Sequence, residues 1–106
     1  MKRLAVALGL LAMAQPALAK DKDPAVARGR DLAREVCAAC HAVEPGRTSP
    51  MAKAAPFASR EMQHVAGLEG RLAALATGGH YGMPPQPLSE QQVRDLLAYI
   101  ESLAAR

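Results

Sequence analysis

The stretch that decides the fold is Cys37-Ala38-Ala39-Cys40-His41, which contains both cysteines of the chain. C-x-x-C-H is the spacing at which a c-type haem is attached. Haem carries two vinyl groups near one edge, and each forms a thioether with a thiol. Thiols three residues apart on a helical turn lie on one side, so both reach that edge. His41, four residues after Cys37, falls on the same side with its imidazole available to an iron. Three other readings of the pair explain less. A thioredoxin-like redox couple wants a βαβ setting, and no run of this chain alternates as a strand does. A structural zinc site needs a fourth ligand, usually from a second separated pair. A simple disulfide leaves His41 without a role.

The flanking sequence reads as helices. Upstream, Asp23-Pro24 gives an N-cap followed by proline at the first helical position. Val26, Gly29, Leu32, Ala33 and Val36 then recur at helical spacing opposite Arg28, Arg30, Asp31, Arg34 and Glu35, so this helix runs into the cysteines. Pro45-Gly46 stops it, and the chain to Pro56 reads as a loop. A short helix is expected around Ser59 to Val65. Leu68, Leu72 and Leu75 mark another, ended by Gly78-Gly79. The clearest element is the last. Ser89 and Gln92 form a capping box, and Val93, Leu96, Leu97, Ile100 and Leu103 make one apolar face. The expected fold is all-α, with three to five short helices in a single domain around one covalently attached haem.

Composition sets bounds on the rest. Of 106 residues 50% are hydrophobic, yet only 3% are aromatic, namely Phe57, Tyr81 and Tyr99. Such a core is thin, and a bound cofactor would fill it. The formal charge of +3 includes Lys2 and Arg3. These belong to a segment of another kind: a basic start, an apolar run from Leu4 to Ala14, a Gln15-Pro16 break, and the small-x-small pattern Ala17-Leu18-Ala19. The run is too short for the roughly 20 residues of a membrane-spanning helix. Residues 1–19 are therefore expected to be a cleaved signal peptide, with an uncleaved, tilted anchor as the alternative, and residues 20–106 an exported, periplasmic domain. The remaining charge is near balance, which excludes nucleic-acid binding as a reading from charge.

A haem iron needs a second axial ligand, and the candidates are Met51, Met62, Met83, His64 and His80. Met51 lies close to His41 in sequence, while Met62 and His64 sit on an expected helix. Met83 stands between Gly82 and Pro84-Pro85 on a stiff segment that is neither helix nor central strand. Its thioether is a soft donor that favours Fe(II). His80 in its place, or an open sixth position, are the alternatives.

In these residues the chain resembles the small class I c-type cytochromes of bacteria. The resemblance runs from Gly29 to Leu103. It is carried by the Cys37–His41 motif, by Gly82-Met83-Pro84-Pro85, and by Leu96-Leu97-Ala98-Tyr99-Ile100. It implies that Gly29 lets the first helix approach the last, against Leu96 and Tyr99, although Ala33 replaces the aromatic of the family. It implies that the Pro50 carbonyl accepts from the proximal imidazole, with Pro45 as competitor. The family's tryptophan near a propionate is absent, leaving Arg47, Arg60 and Tyr81 as candidates. The implied activity is that of a soluble monohaem carrier, not an enzyme. It would be a monomer, meeting redox proteins transiently and membranes only through partner complexes. A dedicated haem subunit of an exported oxidoreductase, and a haem sensor or peroxidase-like catalyst, are the other readings.

Overall fold

A computed structural model describes residues 23–104; the expected signal peptide lies outside them. Among the described residues there are four α-helices, α1 Pro24–Leu32, α2 Arg60–Ala66, α3 Arg71–Gly78 and α4 Glu90–Ala104, and one short π-helix. The described residues contain no named strand, in keeping with the all-α expectation.

Helix α1 starts where the cap residues place it. The Asp23 carboxylate accepts from the Ala25 N–H at 2.8 Å, with Pro24 in the first turn. The helix then changes character. Residues Ala33–Cys37 continue it as a π-helix, a widened turn that is frequent at functional sites. Helix α4 carries the expected capping box: Gln92 N–H donates to Ser89 Oγ at 3.1 Å, and Ser89 N–H to Gln92 Oε1 at 2.8 Å.

The packing of α1 on α4 organises the molecule. A Cβ on Gly29 would fall 1.9 Å from the Asp95 carbonyl oxygen and 2.8 Å from Tyr99 Cβ. Only hydrogen fits between these backbones. Val26, Ala33, Leu96, Tyr99, Ile100 and Leu103 fill the contact, joined by Phe57 and Leu72 from the intervening chain. Arg28 clamps the crossing through Nε and Nη2 on the two carboxylate oxygens of Asp95, at 2.9 and 3.0 Å. Asp95 is buried, and Gln91 Nε2 adds a third bond at 2.8 Å. The Arg28 bond foremost, and that of Gln91, hold the Asp95 carboxyl below its ordinary range against the opposing effect of burial. The apolar face of α4 thus continues into a polar edge that periodicity did not mark.

One helix begins later than its leucines indicate. Leu68 is exposed and belongs to the turn before α3, with its carbonyl accepting from Arg71 N–H. Gly70, at φ 75°, stands between the turn and the helix. A left-handed residue cannot continue a helix, so α3 starts at Arg71.

Candidate haem-binding site

The motif begins on the last residue of the π-helix, Cys37, and runs through the turn that follows. The Cys37 carbonyl accepts from Cys40 N–H at 3.2 Å and from His41 N–H at 2.9 Å. One helical turn thus carries both thiols and the imidazole, as the spacing requires. Both cysteines are free and half-buried. Burial pushes the Cys37 thiol up to about 11. Disulfide oxidoreductases need the opposite, a thiol brought down toward neutrality. Two unbridged thiols with a histidine on the same turn fit covalent haem.

The chain after the motif closes around it. Met51 N–H donates to the Cys40 carbonyl at 3.1 Å. Ala42 N–H donates to Ser49 Oγ at 2.9 Å, and the Ala42 carbonyl accepts from Phe57 N–H at 2.8 Å. The Tyr99 hydroxyl reaches across from α4 to the Val43 carbonyl at 2.6 Å. On the rim, Arg34 Nε donates to Glu44 Oε2 at 2.5 Å, joining the residues before the motif to those after it. That bond holds the Glu44 carboxyl below its usual range, helped by the charges of Arg30 and Arg47 and opposed by burial.

His41 is fixed at its inner nitrogen. Nδ1 lies 2.7 Å from the Ala55 carbonyl oxygen. A carbonyl only accepts, so Nδ1 carries a proton, and in the neutral ring Nε2 is the nitrogen whose lone pair a metal takes. This corrects the expectation for Pro50. Pro50 lines the same cleft as His41, but its neighbours are already engaged with the motif backbone: Ser49 with Ala42, and Met51 with Cys40. The imidazole is met instead by the carbonyl of Ala55, the residue before Pro56.

Met83 sits on a two-residue hairpin. His80 N–H donates to the Met83 carbonyl at 3.1 Å, and Met83 N–H to the His80 carbonyl at 2.7 Å. Between them Tyr81 and Gly82 have φ of 46° and 89°, the positive pair that a tight hairpin needs. The segment is therefore neither helix nor central strand, but it is more ordered than a loop. Gln86 N–H donates to the Ala76 carbonyl at 2.8 Å, tying the hairpin's return to α3. The Met83 side chain is half-buried, whereas Tyr81 is 99% exposed.

The other candidates are dispersed. Met62 packs against the core, His64 is exposed, and Met51 is 52% exposed. Arg47 lines the cleft with His41, Arg60 opens α2, and Tyr81 stands edge-on to His80 at the hairpin tip. Sequence reasoning missed Ser49, Ala55 and Gln86. Two of these act through backbone atoms, which carry no residue-type signal, and a lone serine in a loop has many uses.

A family model described as cytochrome c oxidase, cbb3-type, subunit III, matches residues 24–100. Cytochrome c-552 of Bradyrhizobium diazoefficiens is 33% identical over 103 residues, covering 97% of this chain and 94% of that protein. No solved structure matches the chain significantly. With both thiols and the histidine of the motif in place within that match, the chain belongs to the cytochrome c family: it is a small bacterial c-type cytochrome, carrying covalently bound haem c and transferring electrons.

Proposed function

We propose that this protein is a periplasmic monohaem carrier with one haem c joined to Cys37 and Cys40 and with His41 and Met83 as its axial ligands. The observation that carries the reading is the imidazole of His41, whose Nδ1 is held at 2.7 Å by the Ala55 carbonyl and whose Nε2 is left to bind. Bound there, the haem supplies an iron that cycles between Fe(II) and Fe(III). The chain's part is to hold that iron and keep water from it. Cys37 and Cys40 tie the ring to the end of the π-helix. His41 presents nitrogen, and the hairpin from His80 to Met83 presents a thioether whose softness favours Fe(II).

Residues 1–19 act in this reading as a signal peptide, and residues 20–106 as the exported domain. Proteins of this type are commonly exported, and no helix among the described residues is long and apolar enough to cross a membrane. Redox partners are met as a monomer through small, short-lived interfaces, without catalysis by the haem itself. The description of the matching family model favours one second reading, a haem subunit held permanently by a larger oxidoreductase. Stable copurification with other chains would select it.

Replacing Met83 tests the assignment. Met83→Ala should let carbon monoxide bind the reduced iron, which the wild type should do poorly. Met83→His should keep the haem and lower the reduction potential, because imidazole stabilises Fe(III) relative to thioether. Ready carbon monoxide uptake by the wild type, with an unchanged potential in Met83→Ala, would remove Met83 from the iron.

A further inference from the structure

The hydrogen bond on His41 is supported from a distance by two residues outside the motif. Phe57 is 3% exposed, and its ring lies 5.3 Å from the imidazole centroid at an interplanar angle of 54°. Its N–H is taken by the Ala42 carbonyl, next to His41, at 2.8 Å. Its carbonyl accepts from Gln63 Nε2 at 3.2 Å, and the same amide donates to the Ile100 carbonyl at 2.8 Å. An amide NH2 has two donors. Gln63 uses its amide as a strut between the fully buried middle of α4 and the Phe57 peptide.

Pro56 stands between Phe57 and Ala55. Its ring fixes its own φ and confines Ala55 to extended backbone, which removes freedom from the short link between the Ala55 carbonyl and Phe57. Anchoring Phe57 therefore anchors the carbonyl that holds Nδ1.

From this geometry we propose that Gln63 and Phe57 are positioning residues for His41: Gln63 fixes the peptide frame that carries the Ala55 acceptor, and Phe57 sets the plane of the imidazole. The proposal rests on His41 as an iron ligand. An N–H held by a carbonyl makes the imidazole a stronger donor and stabilises Fe(III). The strut thus keeps the reduction potential lower than a loosely held imidazole would.

The test uses the holoprotein and the variants Gln63→Met and Phe57→Leu. Ser102→Ala serves as a control, losing a buried 2.6 Å bond to the Tyr99 carbonyl elsewhere on α4. In the reduced protein the ring protons of an iron-bound imidazole are shifted far upfield in the NMR spectrum, and the exchange of its Nδ1 proton with solvent can be timed. Gln63→Met should speed that exchange about tenfold or more, taking the low end of the effect outer partners have on metal affinity and activity as the guide, and should raise the potential. Phe57→Leu keeps the backbone bonds. It should change the pattern of haem methyl shifts in the oxidised protein, which reports the imidazole plane, and it carries the test if Gln63→Met fails to mature. Ser102→Ala should lower the denaturation midpoint and leave all three readouts alone. If both frame variants behave as Ser102→Ala does, the proposal is overturned and the two residues serve stability alone. If the wild type shows no upfield imidazole signals from His41, the ligand assignment itself fails and the proposal falls with it.

Discussion

The chain presents its two iron-ligand candidates on regions built by different means. Around His41 the backbone from Cys40 to Phe57 is stitched to itself and to α4. Ser49, Met51, Ala55, Phe57 and Tyr99 each close a contact, and Phe57 and Tyr99 are buried. Around Met83 there is little burial. The hairpin from His80 to Met83 stands on reciprocal backbone bonds, two residues of positive φ and one tie from Gln86 to α3. One region is held by packing and the other by local backbone geometry. Damage to the core should reach the histidine side through loss of fold, whereas damage to the hairpin should alter the methionine side while the fold survives.

The strongest way to break the packed region is at its closest approach. Gly29→Val places side-chain atoms where the Asp95 carbonyl already stands. It should destabilise by about 3 kcal/mol or more, the upper range for forced insertion into a packed interface, and most of the protein should fail to mature. A normal yield with an unchanged unfolding midpoint would mean that α1 and α4 do not meet there.

A milder change sharpens the comparison. Tyr99→Phe keeps the ring and removes the hydroxyl, with it the bond to the Val43 carbonyl, so it should cost about 1–2 kcal/mol in denaturant unfolding. The potential should shift little. Tyr99 and Gly29 were both legible from the resemblance to the family, Tyr99 within Leu96-Leu97-Ala98-Tyr99-Ile100 and Gly29 eight residues before Cys37, and the structure brings them together. The hydroxyl's partner was not legible, because a backbone carbonyl far away in sequence leaves no trace in residue type.

Gly79→Ala is the counterpart on the other region. Gly79 has φ 73°, and a Cβ there would lie 2.7 Å from the Met83 carbonyl oxygen and 2.9 Å from Pro85 N. Backbone strain of this kind costs about 1–3 kcal/mol, and the hairpin rather than the core gives way. The expected outcome is a folded protein in which the proposed Met83–iron bond is weakened, seen as increased carbon monoxide binding. Loss of global stability on the scale of Gly29→Val would show that the hairpin is as integral as the core.

The smallest effect concerns acid. Arg28 holds the Asp95 carboxyl low, and Arg34 does the same for Glu44. A carboxyl depressed by folding contributes stability that is complete above its unfolded value, about 4. That contribution is lost as pH falls through the lower folded-state value. Stability should therefore hold from neutral pH to about pH 4 and decline below it. Asp95→Asn should make that decline shallower in denaturation midpoints taken across the acid range. A decline beginning near neutrality would point to histidines instead.

Much of this architecture could be read from the residues, and the failures have physical causes. The capping box at Ser89 and Gln92 and the Asp23-Pro24 start are local chemistry, and both stand as read. The motif needed only its spacing. Leu68 misled because three leucines at helical intervals outweighed the left-handed Gly70 between them. Pro50 misled because a role implied by resemblance depends on loop length, and here the loop is occupied with Cys40 and Ala42 before it reaches the imidazole. The π-helix at Ala33–Cys37 had no sequence signal, since its composition suits an ordinary helix equally well.

The assignment of His41 and Met83 to one iron is tested most directly by the optical spectrum of the purified, oxidised wild-type protein. A weak band at the far red edge, from charge transfer between a methionine sulfur and ferric iron, is the predicted result, and it should vanish in Met83→Ala and persist in Gln63→Met. A spectrum without that band, and with the features of a high-spin or bis-imidazole haem, would contradict the account.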